Sequence, residues 1–401
     1  VRVLWIVALL GALAGVAGAP PAASAETGPG DRAVAALGEG PGKAPPAERG
    51  DGWARTRVEV RDETWPLVVD VLVSTRRAPR RILYMLPGGG LNFEANYFTP
   101  RERNLAHFMR ERGYLVIGIT PREASLPAGH NGAELAGWGL AEHRRDVAKV
   151  VSAVDRALRM PYDVLGHSAG GALALDFAAT APGRLGRVLV IDTTGPYPPG
   201  DLRDRARASL AACRGLAERG VHGAGNSTGA LIRAALTDPA GPAAAFPVRH
   251  PTGEPLTNAG AAHYALVHTA KTPGLFNWIY KQGIGAGSYA FGDVPARDRF
   301  ALAHTPLTVF DEAFRRAGSG IVVTALLCDL FAVWAADPSY SIDWAAIEAE
   351  VVWVNAGLGR GDHPEGAALI PRSVFKLVPG YGHGDPVWSA TASRDFWPLL
   401  T

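Results

Sequence analysis

Hydrophobic and polar residues alternate from Ala54 onward. "ARTRVEV" (54–60) and "LVVDVLVS" (67–74) read as an antiparallel pair of strands, and "RRILYMLPGGG" (80–90) as a buried strand that ends in a glycine loop. Leu105, Phe108 and Met109 then recur at helical spacing, followed by the strand-like "YLVIGIT" (114–120). Val147, Val150, Val151, Val154 and Leu158 form one apolar stripe at i, i+3, i+4, i+7 and i+11, which predicts an amphipathic helix. "DVLGHS", an Ala/Leu-rich helix to about Ala181 and the strand "RVLVID" complete this part.

Strand and helix alternating in this way predict an α/β fold, a mostly parallel sheet covered on both faces by helices. The rhythm breaks between about Gly195 and Tyr340, where helical stretches alternate with Gly/Pro loops. It resumes at "EVVWVNAG" (350–357) and "SVFKLVPG" (373–380). A core in two parts, 53–195 and 341–401, interrupted by a helical insertion at 196–340, accounts for this better than two domains in series.

The front of the chain is different. Residues 1–25 combine Arg2, an apolar run from Val3 to about Val16 and Ala23-Ser24-Ala25, the three regions of a secretory signal peptide. The run is shorter than a spanning helix needs, so the expectation is export as an extracellular protein without a stable membrane anchor. Residues 26–52 are rich in Gly, Pro and Ala and read as a flexible leader, with folding expected from near Trp53. In an oxidising compartment Cys213 and Cys328, the chain's 2 cysteines, have the option of one disulfide or of two buried thiols. Net charge is +2 with no block of like charges, so nothing points to nucleic acid as a partner.

The chemistry concentrates at Gly166-His167-Ser168-Ala169-Gly170, between a predicted strand and a predicted helix. A serine hydroxyl is a weak nucleophile at neutral pH and needs a base and an oxyanion site. A sharp strand-to-helix turn lifts the serine clear of the backbone, and glycines two positions to either side let strand and helix approach. Ser168 is therefore the candidate nucleophile, and His167 is read as packing. Backbone amides of Ala169 and Gly89, with Gly90 next, are the candidate oxyanion donors. His383, in "PGYGHGDP", is the candidate base, with His363 and His304 as rivals. Asp362, in the loop after the penultimate strand, is the first choice for the acid. Asp192, at the end of "RVLVID", is the alternative, and Asp385 is set aside as too near His383.

The order of elements, the Gly-His-Ser-Ala-Gly turn and the late Gly-His-Gly-Asp loop resemble the α/β-hydrolase superfamily over about 54–195 and 341–400. The resemblance implies a serine esterase or lipase-like hydrolase whose cap lies in the inserted region. Two departures stand out: Pro87-Gly88 replaces the usual His-Gly before the oxyanion residue, and the acid loop is longer than in compact members.

Glycine-rich stretches at 283–292 and 223–229 lack the strand context of a phosphate loop and read as plain loops. No metal-binding spacing occurs, so no cofactor is implied. Tyr264, Phe276, Trp278, Tyr280, Tyr289 and Phe291 either line an apolar pocket or pack the cap. The expectation is cleavage of a carboxylic ester, of a lipid or an apolar small molecule, through an acyl-enzyme. The alternatives are a non-hydrolytic cyclase, lyase or acyltransferase on the same fold, an aminopeptidase-like hydrolase, and a catalytically silent binding protein.

Overall fold

The computed structural model describes residues 28–38, 46–60, 65–181, 183–225 and 227–401. Nine strands form one sheet in the order Glu48–Gly50, Trp53–Val60, Leu67–Ser74, Tyr114–Thr120, Arg81–Leu86, Tyr162–His167, Leu185–Ile191, Glu350–Ala356 and Ser373–Val378. The first three pair antiparallel, as does Leu67–Ser74 with Tyr114–Thr120, and every pairing after that is parallel.

Tyr114–Thr120 and Tyr162–His167 are buried along their whole length, as a parallel sheet with helices on both faces requires. Helix Leu140–Leu158 turns its predicted stripe of Val147, Val150, Val151, Val154 and Leu158 onto one face of the sheet. Helix Ala169–Ala178 is buried all round, which explains why its sequence is apolar without an amphipathic period.

The flexible leader needs correction. Within 26–52, Pro29–Leu37 is a helix with proline in its first turn, packed on helix Leu140–Leu158 through Ala33, Val34 and Leu37. Glu48–Gly50 then adds an edge strand. Two large aliphatic residues in nine, Val34 and Leu37, are too few to register as a period among Gly and Ala. The signal peptide read at 1–25 lies outside the described residues.

Between Ile191 and Glu350 the chain builds helices Asp201–Glu218, Thr228–Thr237, Asn258–Val267, Leu307–Arg316 and Thr324–Ala335. Two short antiparallel ribbons not foreseen from sequence join them, Gly223–Gly225 with Ile321–Val323 and Gly287–Ala290 with Arg299–Leu302. A disulfide between Cys213 and Cys328, with Cα atoms 5.6 Å apart, ties the first of these helices to the last.

Candidate active site

Ser168 sits between the end of its strand and the first turn of the following helix, at φ 58° and ψ −121°. Few side chains accept a positive φ, and a serine held there needs its surroundings to enforce it. The flanking glycines show how. A Cβ on Gly166 would lie 1.9 Å from the Gly170 carbonyl oxygen, and one on Gly170 would lie 2.1 Å from that of Leu86. Strand and helix therefore close to a distance that only glycine permits. Ser168 N–H donates to Ile191 O at 3.0 Å, fixing the turn to the neighbouring strand.

Gly89 and Ala169 face each other beside the serine: a Cβ on Gly89 would be 3.7 Å from that of Ala169. Among the described residues neither backbone N–H has an acceptor, and both residues line the same cavity as Ser168. Ala169 is the first residue of its helix, so its amide is one of the donors a helix leaves free, at the positive end of the dipole. Gly90, at φ 74°, is turned toward Val322 and Gly320 and does not line the cavity, which leaves Gly89 and Ala169 as the candidate donors.

His383 Nδ1–H donates to Asp192 Oδ2 at 2.5 Å. A carboxylate can only accept, so the ring proton belongs on Nδ1 and the Nε2 lone pair is left free. Asp192 is wholly buried, and its other contacts are backbone amides: Ala356 N–H at 2.7 Å and Arg360 N–H at 3.1 and 3.2 Å. Burial pushes its carboxyl up, to about 6, against the opposing pull of Arg360 and those amides. Burial pushes the His383 imidazole well below its ordinary value, with the Arg360 cation adding to the effect. A carboxylate beside a neutral imidazole is the state in which Nε2 can accept a proton.

The carboxylate that reaches His383 is that of Asp192, so the candidate acid is Asp192, and Asp362, the first choice from sequence, is corrected. Asp192 extends one residue past Ile191, which pairs with Val354 of the adjacent parallel strand. The longer loop after that strand folds back at once, with Gly357 N–H on Val378 O and Leu358 N–H on Tyr381 O, and delivers amides rather than a carboxylate to the histidine. Asp362 ends up exposed. Gly359 is the hinge of this arrangement: a Cβ there would meet Asp192 Oδ2 at 2.2 Å and His383 Cα at 2.9 Å.

The rival residues have other places. His304 stacks on Tyr381, with Nε2 on Gly380 O, and His363 lies against Tyr197. Asp385 accepts from Thr305 Oγ1, Ala286 N–H and Gly382 N–H, fastening the histidine loop to the insertion. The glycine-rich run from 283, read as a plain loop, is a loop only as far as Ala286, after which Gly287–Ala290 forms a strand. The loop part braces the site, with His383 N–H and Gly384 N–H donating to Gly283 O and Ile284 O.

His167 does more than pack. Its ring lies 4.7 Å from that of His383, and its Nε2–H donates to His383 O at 3.0 Å. Asn96 Nδ2–H donates to its Nδ1 at 3.2 Å, while Asn96 Oδ1 accepts from Gly88 N–H at 2.7 Å. Burial holds His167 neutral, down to about 3, with the neighbouring His383 also opposing its charge. The network links the oxyanion loop, the serine turn and the histidine loop. Asn96 and Arg360 were not found from sequence.

Ser168, His383 and Arg360 open onto one cavity of about 920 Å³ with mostly apolar walls, including Leu326, Leu330, Trp388 and Phe276. Of the six cap aromatics, Phe276 and Tyr280 line it. Tyr264, Tyr289 and Phe291 pack on one another, and Trp278 donates to Ser209 Oγ.

No family model matches the chain. Among solved structures, a candidate lipase from Sulfolobus solfataricus is similar with a TM-score of 0.57 at 15% identity, over 90% of this chain and 95% of that one. Epoxide hydrolase VrEH1 from Vigna radiata is similar with a TM-score of 0.50 at 12% identity, over 88% of this chain and 97% of that one.

Proposed function

The chain has the α/β-hydrolase fold, and on that scaffold we propose that it is a secreted serine hydrolase of carboxylic esters. The observation that carries this reading is the convergence on one cavity of a serine at positive φ, two free amides and a buried His383–Asp192 pair. Export is supported by the signal-like pattern of residues 1–25.

In this reading Ser168 Oγ attacks the ester carbonyl carbon while His383 Nε2 takes the hydroxyl proton, and Asp192 stabilises the imidazolium. The carbonyl oxygen becomes an oxyanion that faces the amides of Gly89 and Ala169. Collapse breaks the bond to the alcohol oxygen, which leaves with the proton from Nε2, and the acyl group stays on Ser168. Water then gives one proton to Nε2 and its oxygen to the acyl carbon. The second collapse releases the carboxylic acid and returns the proton to Ser168. The apolar cavity walls suit an ester with a largely apolar body.

A fluorophosphonate probe followed by intact-mass and peptide mapping tests the assignment. Wild-type protein should gain one phosphonyl group on Ser168, and Ser168→Ala should remain unlabelled and lose ester hydrolysis by on the order of 10⁴-fold or more. Labelling that survives Ser168→Ala would contradict it. Incorporation of one labelled oxygen from water into the released acid separates hydrolysis from acyl transfer.

A further inference from the structure

Arg360 presents hydrogen-bond donors that none of the described residues answers. It is 4% exposed, and Nε and Nη1 of its guanidinium are shielded from water without a hydrogen-bond partner among the described residues. The nearby carboxylate of Asp192 is occupied by His383 and by backbone amides, including that of Arg360 itself. What the guanidinium does meet is two aromatic faces, Tyr280 at 5.4 Å and Trp334 at 5.1 Å to the ring centroids. Stacking on rings offsets only part of the cost of burying a cation, and it leaves the hydrogen-bonding edge unused. Trp334 adds a further unanswered donor, since its Nε1–H is also buried without an acceptor among the described residues. Arg360 and Trp334 both line the cavity that holds Ser168 and His383.

We propose that the substrate bears a carboxylate and that Arg360, with the Trp334 indole N–H, binds it. A planar carboxylate takes two parallel hydrogen bonds from a guanidinium, here through either of the edges that Nη2 shares with Nε or with Nη1, and the flanking rings hold the guanidinium in place. The substrate class is then a half-ester of a dicarboxylic acid, or another ester with one carboxylate on an apolar body.

The electrostatics of the site favour the same occupant. The groups around His383 are Asp192, His167, Tyr280 and Arg360. His383 must become a cation during turnover, and a bare Arg360 opposes that step. A substrate carboxylate on Arg360 cancels the opposing charge when the proton has to move. A neutral ester leaves it in place.

The term substrate rests on the serine-hydrolase reading, whereas the binding of a carboxylate rests on the cavity alone, and two measurements keep them apart. The first compares p-nitrophenyl hemiglutarate with p-nitrophenyl pentanoate, which differ by a carboxylate in place of a methyl. Wild type should favour the hemiester in kcat/KM by about 10- to 100-fold, Arg360→Leu should remove that preference, and Arg360→Lys should restore part of it. Equal or better turnover of the neutral ester by wild type, with an unchanged ratio in Arg360→Leu, would overturn the proposal and leave the hydrolase reading intact.

The second measurement is calorimetric titration of Ser168→Ala with pentanoate and with pentanamide. Pentanoate should bind at least tenfold more tightly, and Arg360→Gln in the same background should abolish the difference. This result is expected even if Ser168 proves not to be a nucleophile. Equal binding of acid and amide would overturn the proposal.

Discussion

Asp192 and Arg360 are opposite charges buried near the same histidine, and their surroundings treat them differently. Each oxygen of Asp192 is filled, by the His383 ring and the amides of Ala356 and Arg360. The guanidinium of Arg360 has two ring faces and two nitrogens with no acceptor. A closed set of hydrogen bonds holds a geometry before substrate arrives, which is what a proton-transfer pair needs. An open set is costly until something enters. In the proposed reading, the contrast separates the part of the cavity that performs chemistry from the part that selects what comes to it.

The largest expected effect breaks the closed side. Asp192→Asn keeps the shape but removes the acceptor that fixes the His383 tautomer, and kcat should fall by about 10³- to 10⁴-fold. Asp362→Asn, out in solvent, should stay within about twofold of wild type in the same assay. Equal losses in the two variants would put the acid back in doubt.

Gly359→Ala attacks the same side through sterics, since its methyl would lie on Asp192 Oδ2 and against the His383 backbone. Thermal unfolding should show a loss of about 1–3 kcal/mol, and ester turnover should drop with it.

The link through His167 is expected to matter less. His167→Phe keeps a ring against His383 but removes the bonds to Asn96 and to His383 O. As a positioning change it should lower kcat by about 10- to 100-fold with KM little altered. Rescue by His167→Gln, which can still donate toward His383 O, would separate hydrogen bonding from packing.

The mildest change sharpens the contrast through pH. For a neutral ester, kcat/KM rises as His383 loses its proton, and burial together with Arg360 places that limb below the ordinary imidazole value of about 6.5. Removing a neighbouring cation favours the protonated ring, so Arg360→Leu should move the limb to higher pH. A shift to lower pH in the rate profile would mean that Arg360 does not act on His383.

How much of this was legible in the chain follows from the range of each constraint. The serine turn was readable because its steric demand falls within five residues, Gly166 to Gly170. Gly89 and His383 were readable because each sits in a glycine loop directly after a strand. The choice between Asp192 and Asp362 was not, because both follow adjacent parallel strands and only the backfolding of Gly357–Gly361 decides which reaches the ring. Helix Pro29–Leu37 was hidden because its buried face, Gly30, Ala33, Val34 and Leu37, carries only two large aliphatic residues in an Ala/Gly-rich stretch. The Cys213–Cys328 bond needed two insertion helices, 115 residues apart at the cysteines, to lie side by side. Arg360 was out of reach because the lack of a partner belongs to a folded environment and leaves no pattern in the sequence.

The most direct test of the central claim, that Ser168, His383 and the two amides form one reactive centre, is a crystal structure of the phosphonylated protein. Phosphorus should be bonded to Ser168 Oγ, with its free oxygen about 2.7–3.1 Å from the amides of Gly89 and Ala169 and His383 still on Asp192. Phosphorus on another residue, or a free oxygen turned away from both amides, would contradict the account.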